Sequence, residues 1–196
     1  CPVPIVGITG GIATGKSTVS QILREKQFGI IDADSLVKKI YKNPQVIEFI
    51  RKINNETVIK DQINFKLLRK LVFENSEIKT NVETLIYEQL PQAFGNNLSQ
   101  LLNEGHYFIF YDVPLLFEKG LNTKLDRTCT VYCPRQTQMK RLLKRDNISQ
   151  DLAKSILDQQ MDIEDKKQLS DYIINNTSNL ESLKDQVDKF LTSICF

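Results

Sequence analysis

Short apolar runs alternate with stretches in which apolar residues recur every three or four positions. Residues 3–9 read as a buried strand, and a glycine-rich turn leads from it into a helix over 15–26. Further strands are expected at 28–32, 107–112, 127–133 and 172–174, with helical patterns between them. Strands alternating with helices predict a mostly parallel sheet covered on both faces. The crossover between the second and third strands spans about 70 residues, 33–106, where a dozen suffices. Leu67, Leu68 and Leu71, then Val82, Leu85 and Ile86, then Leu98, Leu101 and Leu102 have helical spacing. Pro91 and Gly95 are expected to kink or break the long helical stretch that contains them. A second insertion covers 134–170 and reads as a short helical pair. Met139, Leu142 and Leu143 form its apolar stripe, and Arg141 and Arg145 lie on the side away from it. A closing helix is expected over 179–191, with Leu180, Leu183, Val187 and Phe190 inward.

Composition narrows the picture only a little. Lys and Arg total 26 and Asp and Glu total 24, a net charge of +2, so nothing calls for a nucleic-acid partner or a membrane surface. No apolar run approaches the roughly 18 residues of a membrane span, and no signal peptide is expected at the start of the chain. Of the four cysteines, Cys1 and Cys195 stand near the chain ends. Cys129 and Cys133 are spaced C-x3-C with no partner pair and no nearby His, which reads as two thiols beside a strand rather than a metal site. A reduced, cytoplasmic protein is the expectation. The one histidine, His106, sits in a turn and reads as structural.

The chemistry begins at Gly10-Gly11-Ile12-Ala13-Thr14-Gly15-Lys16-Ser17, which fits G-x-x-x-x-G-K-[ST] without a mismatch between a strand and a helix. Gly10 and Gly15 permit a backbone that a side chain would block, so successive N–H groups can line a concavity for an anion. The following helix adds its N-terminal partial charge and unpaired donors. Lys16 would reach the β/γ-phosphates, Ser17 would ligate Mg²⁺, and Thr18 could bond the α-phosphate. Asp32 and Asp34 close the second strand, and Asp112 closes the third. Two apart on an extended segment, Asp32 and Asp34 should share a side, and Asp34 is the candidate base toward an acceptor hydroxyl. Asp112 reads equally as a metal ligand beside the phosphate loop or as a helix cap.

Three further segments carry a family resemblance: Ile31-Asp32-Ala33-Asp34, Val113-Pro114-Leu115-Leu116-Phe117-Glu118, and the run from Gln138 to Asp146. With the phosphate loop and Asp171-Tyr172-Ile173-Ile174-Asn175-Asn176, the chain resembles a dephospho-CoA kinase along almost its whole length. The resemblance implies an α/β fold of the P-loop NTPase type: a three-layer α/β/α core with a five-stranded parallel sheet, a helical substrate-binding insertion and a helical lid. The nucleotide core would comprise 1–33, 105–133 and 171–196, the CoA-binding helical domain 34–104 and the lid 134–170. It implies phosphoryl transfer from MgATP to the ribose 3′-hydroxyl of dephospho-CoA. Asp34 falls at the catalytic acid, Arg141 and Arg145 at the lid arginines, Asn176 near the adenine, and Gln160 and Lys166 in a lid segment. The partner is then a small molecule, with no nucleic acid or membrane, and the chain a monomer or weak homo-oligomer. The sequence departs from the family pattern at Ala13-Thr14, where Gly-Ser is usual, and at Phe65 and Tyr87, where an arginine and a histidine are usual. The last two positions are expected to face the acceptor. Another small-molecule kinase, for nucleosides or nucleotides, is the nearest alternative. A guanine-nucleotide switch is the more distant one, and its N-K-x-D segment is absent from the sequence.

Overall fold

Three of the strands are buried on both faces, which fixes them at the centre of a parallel sheet. A computed structural model describes residues 3–194, so Cys1 and Cys195 fall outside the described residues. The strands are β1 (Ile5–Gly10), β2 (Gly29–Asp32), β5 (Ile109–Asp112), β6 (Arg127–Tyr132) and β7 (Tyr172–Asn175), in the order β2-β5-β1-β6-β7. β1 is parallel to β5, with Ile8 opposite Asp112, and to β6, with Gly10 opposite Val131. β6 is parallel to β7. On one face, Val6, Ile8, Phe110, Val131 and Ile174 pack on helix α1 (Lys16–Glu25) and helix α9 (Leu180–Ile194). α1 contributes Val19, Ile22 and Leu23, and α9 contributes Leu183, Val187 and Phe190. On the opposite face a Cβ on Gly7 would lie 2.4 Å from Leu116 Cδ1, so the 113–125 segment is drawn against the sheet there. The chain is the five-stranded, three-layer α/β fold that the strand pattern implied.

The chain divides into two compact units: the residues up to Ile31 together with those from Gly105 onward, and Asp32–Glu104. The 134–170 segment belongs to the first unit and holds three helices rather than a pair: α6 (Arg135–Asp146), α7 (Gln150–Leu157) and α8 (Ile163–Leu169). Leu142, Ala153 and Leu157 are its buried centre, and Ile12 and Ala13 of the phosphate loop pack against them.

The second unit contains α2 (Ala33–Ile40), α3 (Pro44–Ile53), α4 (Phe65–Glu74) and α5 (Ser76–Asn103). Ile40, Val46, Ile50, Leu68, Val82 and Ile86 form its core. A hairpin, β3 (Val58–Ile59) with β4 (Gln62–Ile63), is the element that the helical reading of this insertion missed. Its two-residue turn, Lys60-Asp61, has positive φ at both positions, 49° and 57°. That conformation is ordinarily announced by Asn-Gly or Asp-Gly, and no such pair stands here. Of the kink or break expected at Pro91 and Gly95, there is no break: α5 runs through both. Pro91 lacks the N–H that would bond the Tyr87 carbonyl, a cost of roughly 3 kcal/mol or more inside a helix. Burial of Val82 and Ile86, with Leu85, Leu90 and Ala93 packed beside them, offsets it.

The pairing of Asp32 with Asp34 also needs correction. Asp32 is the N-cap of α2, and its carboxylate accepts from the Ser35 N–H at 2.8 Å. The helix therefore begins at Ala33, and Asp34 stands in its first turn rather than on an extended segment. Strand alternation does not apply across that boundary, because the cap has already turned the chain.

Candidate active site

Ala13 and Gly15 bend the loop between β1 and α1 into left-handed conformations, with φ of 61° and 93°. Glycine takes such a φ freely, whereas an L-side chain is strained there. At Gly15 there is no room either, since a Cβ would lie 2.1 Å from the amide nitrogen of Asn176. Gly10 is needed for approach rather than for φ, because a Cβ there would lie 2.9 Å from the Val131 carbonyl. Thr14 is fully buried and closes the loop on itself. Its hydroxyl donates to Gly11 O at 2.8 Å and its amide to the same oxygen at 3.2 Å. Gly15 occupies the N-cap position of α1, and no side chain caps that helix. The N–H groups of Lys16 and Ser17 are thus open to an anion, while that of Thr18 bonds Gly15 O at 3.0 Å.

Lys16 and Ser20 lie one turn apart on α1 and both reach Asp112 at the end of β5. The Lys16 ammonium pairs with one carboxylate oxygen, and the Ser20 hydroxyl donates to the other at 2.6 Å. Asp112 is 4% exposed. The register that sets it beside Ile8 brings it to the foot of the phosphate loop. The Asp112 carboxylate is thus held beside the loop by Lys16 and Ser20. Ser17 and Thr18, in the first turns of α1, are exposed.

The two α6 arginines part company. Arg141 does not stand on an outer face. It donates through Nη1 to Ala13 O and Thr14 O, both at 3.4 Å, and through Nη2 to Asn176 O at 2.9 Å. Arg145 is exposed and donates to Asp146 at 2.7 and 2.9 Å. Asn176 is buried just beyond β7, with its backbone N–H on Tyr132 O at 2.8 Å and its Nδ2 on Thr14 O at 2.7 Å. Cys133 lies under the loop against Ala13 O and Arg141. Burial pushes its thiol pKa up, and the Arg141 charge opposes that shift.

Sequence reading named Gln160 and Lys166 without a contact and gave Glu118 no role. Gln160 accepts from the Ile12 N–H of the loop at 3.1 Å. Lys166 is fully buried and donates to Pro114 O and to Glu118 Oε1, each at 2.8 Å. The same Glu118 oxygen accepts from Met161 N at 3.1 Å, while Oε2 is buried with no partner. Desolvation pulls the Lys166 pKa down, Glu118 opposes this, and the charge of Lys16 adds to the lowering. A short motif reveals neither half of this pair, because 48 positions of chain separate Glu118 and Lys166. Asp34, by contrast, is part of the helical unit, where it is exposed in the first turn of α2. Phe65 and Tyr87 are partly exposed in the same unit, Phe65 edge-on to Tyr41 at 5.2 Å between ring centroids.

A family model described as dephospho-CoA kinase matches residues 4–182. A relative from Carboxydothermus hydrogenoformans, a dephospho-CoA kinase, is 36% identical over 187 residues, covering 94% of this chain and 91% of its own. The crystal structure of a Thermus thermophilus protein is similar at TM-score 0.85 and 28% identity, over 98% of each chain. The dephospho-CoA kinase of Campylobacter jejuni is similar at TM-score 0.73 and 30% identity, over 97% of this chain and 96% of that one.

Proposed function

The chain belongs to the dephospho-CoA kinase family, and on that premise we propose that it transfers the γ-phosphoryl group of ATP to the ribose 3′-hydroxyl of dephospho-CoA. The products are ADP and coenzyme A. The observation that carries this reading is the phosphate loop: uncapped at α1, curled through Ala13 and Gly15, with the Lys16 ammonium at its foot. Phosphoryl transfer asks a protein mainly for alignment and charge neutralisation. Backbone amides of the loop, those of Ala13, Gly15, Lys16 and Ser17 among them, would hold the triphosphate, and Lys16 would turn from Asp112 toward the β- and γ-phosphates. Arg145, exposed on α6, would add charge above them. Asp34 would accept the proton of the acceptor hydroxyl as its oxygen bonds to phosphorus and ADP departs. The helical unit would bind the acceptor, and the 134–170 segment would exclude water, whose attack would waste ATP.

The donors also suit Mg²⁺, a hard cation that takes most of its ligands from phosphates and water and needs only one or two protein oxygens. Ser17 and Asp112 would hold it, and it would neutralise phosphate charge. Asp112 has an oxygen to offer once Lys16 leaves it. A cytoplasmic monomer or weak homo-oligomer fits this role. Among the described residues no helix is long and apolar enough to cross a membrane.

The test is to incubate the protein with ATP, Mg²⁺ and dephospho-CoA and to follow ADP and coenzyme A together, with nucleosides and nucleoside monophosphates as rival acceptors. Equal rates on a nucleoside would reassign the acceptor. Asp34→Asn should lower turnover about 10²- to 10⁴-fold while ATP affinity stays within a few-fold. Turnover like that of the unmodified chain would remove Asp34 from the mechanism.

A further inference from the structure

The phosphate loop has an outer surface as well as a cradle, and its carbonyls there are held. The Thr14 carbonyl accepts from Asn176 Nδ2 at 2.7 Å and from Arg141 Nη1 at 3.4 Å. The Ala13 carbonyl accepts from Arg141 at 3.4 Å. Arg141 in turn grips the Asn176 backbone carbonyl at 2.9 Å, so the two residues are held together and their side chains converge on Thr14 O. Asn176 is anchored by its own N–H on Tyr132 O at 2.8 Å, which fixes its aim from the end of β6. We infer that Asn176 and Arg141 are positioning residues for nucleotide binding, acting on the loop's backbone rather than on adenine or the transferring phosphate.

The physical reason lies in the planar trans peptide, in which the carbonyl and the following N–H point in opposite directions. Drawing the Thr14 carbonyl outward turns the Gly15 N–H inward, and the same peptide sets the left-handed φ of Gly15. An empty ring of inward N–H dipoles is electrostatically unfavourable and would relax by rotating peptides. Two donors on the outside resist that rotation before any ligand arrives. Gly15 also leaves the space that Asn176 needs, since a Cβ would strike its amide nitrogen. The assignment rests on the loop binding a polyphosphate, and its test therefore uses direct binding without the acceptor.

The decisive variant is Asn176→Asp, which keeps the shape but removes the donor to Thr14. Its affinity for ATP should fall about tenfold, and its affinity for inorganic tripolyphosphate should fall by the same factor. A contact to adenine would weaken ATP alone, and that result would overturn the inference. Arg141→Lys keeps a charge but loses the planar fork, so it too should weaken tripolyphosphate severalfold. The double variant should lose less than the product of the single losses, because both side chains act on one carbonyl. Full additivity, or undiminished tripolyphosphate affinity in Asn176→Asp, would overturn it. In turnover the KM for ATP should rise while the KM for dephospho-CoA stays unchanged, a split that general destabilisation would not produce. Should the unmodified chain bind neither ATP nor tripolyphosphate, the nucleotide reading fails and this assignment with it. Should it bind both but leave dephospho-CoA untouched, only the acceptor assignment fails.

Discussion

The helical unit closes the N-terminus of each of its α-helices with a side chain, whereas the unit that holds the sheet leaves the helix beside the glycine loop open. Asp32 caps α2, Asn43 caps α3, Asn64 caps α4 and Asn75 caps α5. Another asparagine, Asn54, caps the short 3₁₀ turn between α3 and the hairpin. In the unit that holds the sheet, Ser149 caps α7 and Asp162 caps α8, but the helix after the glycine loop has no side-chain cap. Polar side chains around the loop hold its outer carbonyls, and two others form a buried ion pair. A capped helix satisfies itself and offers nothing to a ligand, whereas an open one needs its anion and a scaffold that keeps it open in the meantime.

The contrast can be broken most forcefully at Lys166. Lys166→Met leaves the Glu118 carboxylate in place without its cation, so stability measured by denaturant unfolding should fall by about 3 kcal/mol. Adding Glu118→Gln should recover part of that loss, because the stranded charge is gone. Recovery of nothing would mean that packing, not charge, governs the pair. A middle-sized effect is expected at Asn75, whose side chain accepts from both Glu77 N and Ile78 N. Asn75→Ala should cost about 1 kcal/mol and speed hydrogen exchange in the first turn of α5, with ATP affinity unchanged. An ATP defect there would erase the division of labour. The smallest effect sharpens the comparison within the loop. Ala13→Gly relieves a side chain at φ 61° but loses its contact with the Leu142 cluster. The net gain should be about 0.5 kcal/mol in thermal stability, and a loss would show that the methyl contact outweighs the strain.

Several of these features could be read from the chain itself. The phosphate loop was legible because its glycines, lysine and serine all fall in one short stretch, 10–17, at a fixed spacing. The three central strands were legible because they are buried on both faces, and the edge strands β2 and β7 as short apolar runs between helical patterns. The helical insertion showed in its leucine spacing, although the Lys60-Asp61 turn lacks the usual glycine signal and left its hairpin hidden. Asp34 was found as a residue, but its setting was misjudged, since the capping choice of Asp32 decides where strand gives way to helix.

Local order alone made the phosphate-loop motif and the alternation of strand and helix readable, because both show in neighbours within a few residues. Folding in three dimensions decided that α5 survives Pro91, since the apolar contacts that compensate for one missing hydrogen bond come from α2, α3 and α4. It also decided that Arg141 turns onto backbone carbonyls while Arg145, one turn away, stays in solvent. It paired Lys166 with Glu118 across distant chain. A side chain's partner is set by which surfaces pack together, and no spacing along the sequence encodes that.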